Sequence, residues 1–97
     1  MKTLVELYPI AIVPDRYGGV YSGGAWLAIA NATKRSGEVR RIDFILDEDG
    51  LTPSGSDPLA MEYWSSPDEW IATGSSPDEA LNNLLSGIKP RPFVRKK

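Results

Sequence analysis

The chain has 97 residues, 41% of them apolar and 25% charged, an ordinary globular composition that fits one domain with one modest core. It contains no cysteine and no histidine, which excludes disulfide staples, thiolate zinc sites, cysteine nucleophiles and the Ser-His-Asp triad, and removes the usual general base near neutral pH. Net charge is −2 but unevenly spread: Ile42 to Ile88 holds ten acids and no lysine or arginine, whereas the rest of the chain holds eleven cations and three acids.

In chain order, Leu4 to Val13 is rich in Leu, Val, Ile and Tyr and predicts a first strand, with Pro9 at an edge or bend. The same stretch is broken by Glu6, Pro9 and Pro14, so it reads as a strand and not as a signal peptide. With no apolar run near the roughly 20 residues of a membrane helix, a cytoplasmic protein without membrane contact is expected. The glycine pairs Gly18-Gly19 and Gly23-Gly24 predict turns with positive φ. Ala25 to Asn31 predicts a central strand, apolar on both faces: Trp26, Ala28 and Ala30 on one, Leu27 and Ile29 on the other. After a polar link at Thr33 to Gly37, Glu38 to Leu46 predicts a third strand, with Ile42, Phe44 and Leu46 pointing one way and Arg41 and Asp43 the other. These three would form an antiparallel meander.

Asp47 to Ser56 reads as an acidic loop. Ser56-Asp57-Pro58 predicts a helix start, with Leu59, Ala60, Tyr63 and Trp64 on its buried face. Trp70 to Thr73 predicts a short strand. Ser76-Pro77-Asp78-Glu79 is the strongest local signal: a capping serine, proline in the first turn and glutamate three residues on. Ala80, Leu81, Leu84, Leu85 and Ile88 supply its apolar stripe, and Gly87 and Pro90 end it. Ser-Ser-Pro-Asp-Glu occurs at both 65–69 and 75–79, which reads as turn chemistry used twice and not as a repeat. The expected fold class is α+β: a three- or four-stranded antiparallel sheet with two helices packed on one face. Residues 1–88 form the domain, and 89–97 a basic, flexible tail.

The glycine-rich segment lacks the Gly-Lys-Ser/Thr of a phosphate loop and the spacing of a dinucleotide fingerprint, so a turn into a strand is the better reading. Asp47-Glu48-Asp49 has the oxygens for a hard cation but not the EF-hand spacing, so a solvated acidic loop is expected, with no metal and no cofactor. Paired carboxylate catalysis has no electrophilic partner nearby in the sequence, and no catalytic residue is assigned. Trp64 and Trp70 lie inside the acidic window, which repels phosphates and argues against direct nucleic-acid binding. A window so free of cations suggests instead a negative surface for a basic protein or nucleoprotein complex. The candidate partner-binding residues are Asp47, Glu48, Asp49, Asp68 and Glu69 for steering, with Trp70 and Tyr63 as aromatic anchors; homo-oligomer formation is left open.

Two resemblances bear on function. Gly74-Ser-Ser-Pro-Asp-Glu79-Ala80-Leu81 resembles the Gly-x-(Ser/Thr)-x-x-Glu-Ala-Leu helix of HicB-type antitoxins, which there follows a three-stranded sheet. It implies an antitoxin that neutralises a basic RNase toxin. Tyr17-Gly-Gly-Val-Tyr21-Ser-Gly-Gly-Ala-Trp26-Leu27 is similar to a Tyr/Gly-rich stretch of ArdA-type antirestriction proteins, which are acidic DNA mimics. In size, acidity and absence of catalytic residues the chain resembles phage- or plasmid-encoded inhibitors of host defence, anti-CRISPR proteins included. The leading expectation is a non-enzymatic inhibitor whose acidic surface blocks a nucleic-acid-handling complex; the antitoxin is the alternative.

Overall fold

The computed structural model describes residues 3–50 and 52–94. The chain opens with a single helical turn, α1 (Leu4–Leu7), where the sequence pattern suggested strand. Thr3 and Glu6 explain the difference. Glu6 N–H donates to Thr3 Oγ1 (3.3 Å) and Thr3 N–H to Glu6 Oε1 (3.2 Å), a reciprocal capping box. The first strand is thereby shortened to β1 (Ala11–Pro14). Asn31 holds the turn in place, its side-chain amide donating to Tyr8 O at 3.0 Å.

The link from β1 to β2 (Trp26–Ile29) is a long glycine-rich turn organised around the buried Asp15. Its carboxylate accepts Gly19 N–H at 2.7 Å and Ser22 Oγ at 3.0 Å. Gly18, Gly19 and Gly23 all have positive φ, as the doubled glycines predicted. β2 is central and buried on both faces, again as expected.

The third expected strand is where sequence and structure part. Glu38 to Leu46 is not a strand of the main sheet. It contributes the second half of a two-residue hairpin, β3 (Arg35–Ser36) with β4 (Val39–Arg40), and then the helix α2 (Arg41–Leu46). Short apolar runs fit either period. Here the helical one wins: Ile45 is the buried residue, Leu46 is exposed, and Arg40 pairs with Asp43 three residues on at 2.7 Å.

α3 (Asp57–Ser65) buries Ala60 and Trp64, with Leu59 and Tyr63 half-buried beside them. The sheet is completed by β5 (Ile71–Gly74), so its order is β1-β2-β5, antiparallel throughout, with Ala28 opposite Ala72 and Ile29 opposite Ile71. α4 (Pro77–Ser86) follows at once. Ser76 Oγ accepts Glu79 N–H at 3.1 Å, and Glu79 reaches back to Ser75 N–H at 2.9 Å. Gly87 ends the helix in the left-handed region (φ 72°), which leaves Ile88 beyond the stripe and exposed. Ser76→Ala removes the cap acceptor and is expected to cost about 1 kcal/mol of stability, read as a lower midpoint in urea at unchanged slope.

The α+β class, the three-stranded antiparallel sheet and the packing of α4 on it are thus as the sequence implied. The two longer helices do not share a face, however. Alternation along β2 and β5 divides the core in two. Leu27, Ile29 and Ile71 pack with Ile45 of α2 and with Ala60 and Trp64 of α3. Ala28, Ala30 and Ala72 pack with Leu7 of α1 and with Ala80 and Leu84 of α4. The α4 side is floored by alanines, so that helix lies close to the strands. The α3 side is filled by large side chains, Trp64 above all. Gly74 marks the closest approach: a Cβ there would stand 2.3 Å from Ala80 N.

Two residues of the segment after α4, Pro90 and Phe93, pack back on the domain, while Val94 is exposed. Pro90 is buried, Phe93 N–H donates to Trp64 O at 2.7 Å, and the Phe93 ring meets Tyr21 edge-on at 5.3 Å. The rest of the basic tail, 95–97, lies outside the described residues. Among the described residues no helix is long and apolar enough to cross a membrane.

Candidate functional site

The acidic loop after α2 has an exposed tip on a buried base. Asp47, Glu48 and Asp49 are exposed, whereas Thr52, Pro53, Ser54 and Gly55 are buried. The base is fastened by side chains from three directions. Thr52 Oγ1 donates to Asp47 O, Ser54 Oγ to Ile45 O, and Tyr17 Oη to Gly55 O. Arg16 donates to Ser54 O and, at 3.0 Å, to Gly55 O. Within the tip, Asp49 N–H donates to Asp47 Oδ1 at 3.0 Å, so the turn is held by one of its own carboxylates. Among the described residues no three His, Cys, Asp or Glu side chains gather as a metal ion would need.

Beside this loop runs a shallow groove of about 340 Å³, lined by Phe44, Thr52, Pro53, Leu59, Glu62 and Tyr63. Tyr63 is therefore joined to the acidic loop by a continuous surface. Its ring packs against Phe44 (5.9 Å between centroids) and edge-on against Trp64 (5.0 Å). Its hydroxyl donates to Asp68 Oδ2 at 3.0 Å. Burial, reinforced by the Asp68 charge, pushes the phenol far above its usual pKa, so Tyr63 stays a neutral donor.

Asp68, Glu69 and Trp70 are less free than their sequence suggests. Glu69 pairs with Lys89 at 3.0 Å, both side chains well exposed. Trp70 is half-buried and touches both core clusters; its carbonyl accepts Ala30 N–H at 2.9 Å, and its ring lies under the Arg41 guanidinium, 4.9 Å from the centroid. Trp70 is thus first a packing residue. Desolvation pulls the Arg41 pKa below its usual value, opposed by the Asp68 charge.

Cations from outside the acidic window therefore reach into it. Arg40 holds the Asp43 carboxyl below its usual pKa by hydrogen bonding, the Asp68 charge acts on Arg41, and Lys89 meets Glu69. Other acids are engaged locally: Asp57 accepts Tyr21 Oη at 2.6 Å, and Glu79 caps α4. The window is less one-sided in space than along the chain, and at the tip Asp47, Glu48 and Asp49 stay exposed together without an ion pair among the described residues. Arg41 and Lys89 were invisible as parts of this surface, since 27 and 21 positions separate them from Asp68 along the chain.

No family model, curated protein or solved structure matches this chain.

Proposed function

We propose that the protein is a binding module that docks on a basic partner protein and acts by occupying it, without catalysing a reaction. The observation that carries this reading is the groove of Phe44, Pro53, Leu59 and Tyr63, with Glu62 in its lining and the acidic tip tied to its Thr52 through the Asp47 carbonyl. A long basic side chain suits such a place: its methylene stem lies on the apolar floor while its charged head meets the carboxylates. The buried base of the loop pre-orders the tip, which lowers the entropy lost on docking. A partner that is basic because it handles nucleic acid fits best, and blocking its groove would make the protein an inhibitor of the anti-CRISPR or antirestriction kind.

A second reading, an antitoxin docking on a basic RNase, is favoured by one further observation. α4 follows the third strand of the sheet directly and lies across that sheet, which is the placement the capped Gly-x-Ser-x-x-Glu-Ala-Leu helix implied.

Affinity capture from the native host separates binding from its absence. The triple variant D47N/E48Q/D49N keeps the Asp47 side-chain acceptor that shapes the turn while removing the charge. Wild type is expected to retain a basic protein at low salt that the triple variant loses. Identical captures by both would remove the acidic tip from the interface. A retained ribonuclease whose activity is suppressed would select the antitoxin reading over the first.

A further inference from the structure

Trp70 also lines a second groove, of about 460 Å³, larger than the one of about 340 Å³ beside the acidic loop. Its size is that of a small-molecule site. Leu7, Ala30 and Leu84 supply an apolar floor and Trp70 an aromatic wall, and Arg41, Lys89 and Glu69 are the charged residues of the lining. Lys89 is already paired with Glu69, so the local charge without a direct ion pair among the described residues is that of Arg41. Its guanidinium makes one side-chain hydrogen bond among the described residues, Nη1 to Ala30 O at 2.9 Å. Its Nε is buried and has no acceptor there. Leaving one buried donor of the guanidinium without an acceptor is costly. The residue is held, then, by one carbonyl and one aromatic face, with its charge uncompensated by a direct carboxylate contact.

We propose that this groove binds a small monocarboxylate with an apolar tail, its carboxylate at Arg41 and its tail over Leu7, Leu84 and Trp70. One cation matches one anion. The alternative of an extended peptide lacks its main source of affinity, because the backbone groups nearby are taken. Ala30 N–H is bonded to Trp70 O, Ala30 O to Arg41, and Asn31 N–H to Leu7 O. A peptide strand would find no ladder to join, whereas an amphiphile needs only apolar surface and a fixed cation.

Octanoate, octanol and octylamine share a tail and differ in the head, so they test the proposal on the unmodified protein. Titration is followed by the Trp70 indole N–H resonance and by calorimetry. Octanoate is expected to move that resonance and saturate, with octanol about tenfold weaker and octylamine weaker still. In Arg41→Gln the preference for octanoate over octanol should vanish; if that variant does not fold, the three-ligand series on wild type decides alone. Equal binding of octanoate and octanol, or no movement of the Trp70 resonance, overturns the proposal. So does a short peptide with a free C-terminal leucine that binds more tightly than octanoate, which would assign the groove to a chain terminus.

Discussion

Trp64→Ala is expected to lower the unfolding free energy by about 3–5 kcal/mol, the range for emptying a large aromatic site in a core. Trp64 is 1% exposed and is the largest fully buried side chain in the described structure. It fills the space between α3 and the sheet, in one cluster with Ile29, Ile45 and Ile71. None of these neighbours can move into the void without leaving its own contacts. The damage spreads further, since Tyr63 packs edge-on against the same ring, and Tyr63 both lines the groove and holds Asp68. For a domain of this size, whose total stability is about 5–15 kcal/mol, such a loss takes a large part of the whole. Urea unfolding followed by far-UV circular dichroism measures it. A loss below about 1 kcal/mol would mean that α3 does not rest on the sheet through this residue.

Gly74→Ala is expected to destabilise by about 1–3 kcal/mol or more, although it adds a single methyl group. The backbone at Gly74 does not have the positive φ that only glycine takes easily, so the cost is steric alone. The added Cβ would meet Ala80 N at 2.3 Å and Glu79 C at 2.7 Å, backbone atoms of the first turn of α4. In the turn that leads into β2, Gly24 is confined as well, with Gly74 N 2.6 Å from where its own Cβ would stand. Backbone cannot swing aside as a side chain can, so relief requires α4 to lift from the alanine floor. Gly74→Ala should therefore lower the urea midpoint and loosen the amide-exchange protection of α4. A variant with wild-type stability and protection would show that α4 is not seated on β5 as described.

The elements legible in the sequence were those whose local chemistry and burial agree. α4 carries its own cap, stripe and terminal glycine, and needs no tertiary information to be read. β2 is apolar on both faces because two helical layers cover it. Glu38 to Leu46 fits strand alternation through Ile42, Phe44 and Leu46 and helical spacing through Ile42, Ile45 and Leu46, and only the tertiary position of Ile45 decides between them. The turn of α1 was legible in Thr3-x-x-Glu6 but was outweighed by the β-rich residues after it. Placement of α3 and α4 on opposite faces could not be read from either helix, because both are amphipathic and the sheet offers apolar residues on both sides.

The candidate site divides in the same way. Exposure of Asp47, Glu48 and Asp49 followed from their composition. The pairing of Tyr63 with Asp68 is local, five residues apart, and the spacing that put Tyr63 on the buried face of α3 is met in part, since the residue is half-buried. The burial of Trp70 beneath Arg41 depends on where α2 returns to the sheet, which the misassigned strand concealed. For the same reason the cations at Arg40, Arg41 and Lys89 were counted as lying apart from an acidic surface that they partly neutralise.

The association rate of the captured partner, measured against salt for wild type and for D47N/E48Q/D49N, tests the docking claim most directly. Charges at an interface rim mainly set the rate of encounter, and salt screens them over a distance of about 10 Å at 0.1 M. The wild-type rate should fall steeply with salt, the variant should associate more slowly at low salt with a shallower slope, and the two rates should converge at high salt while dissociation changes little. Equal rates and equal slopes would contradict the account and leave the acidic tip as a solvated loop.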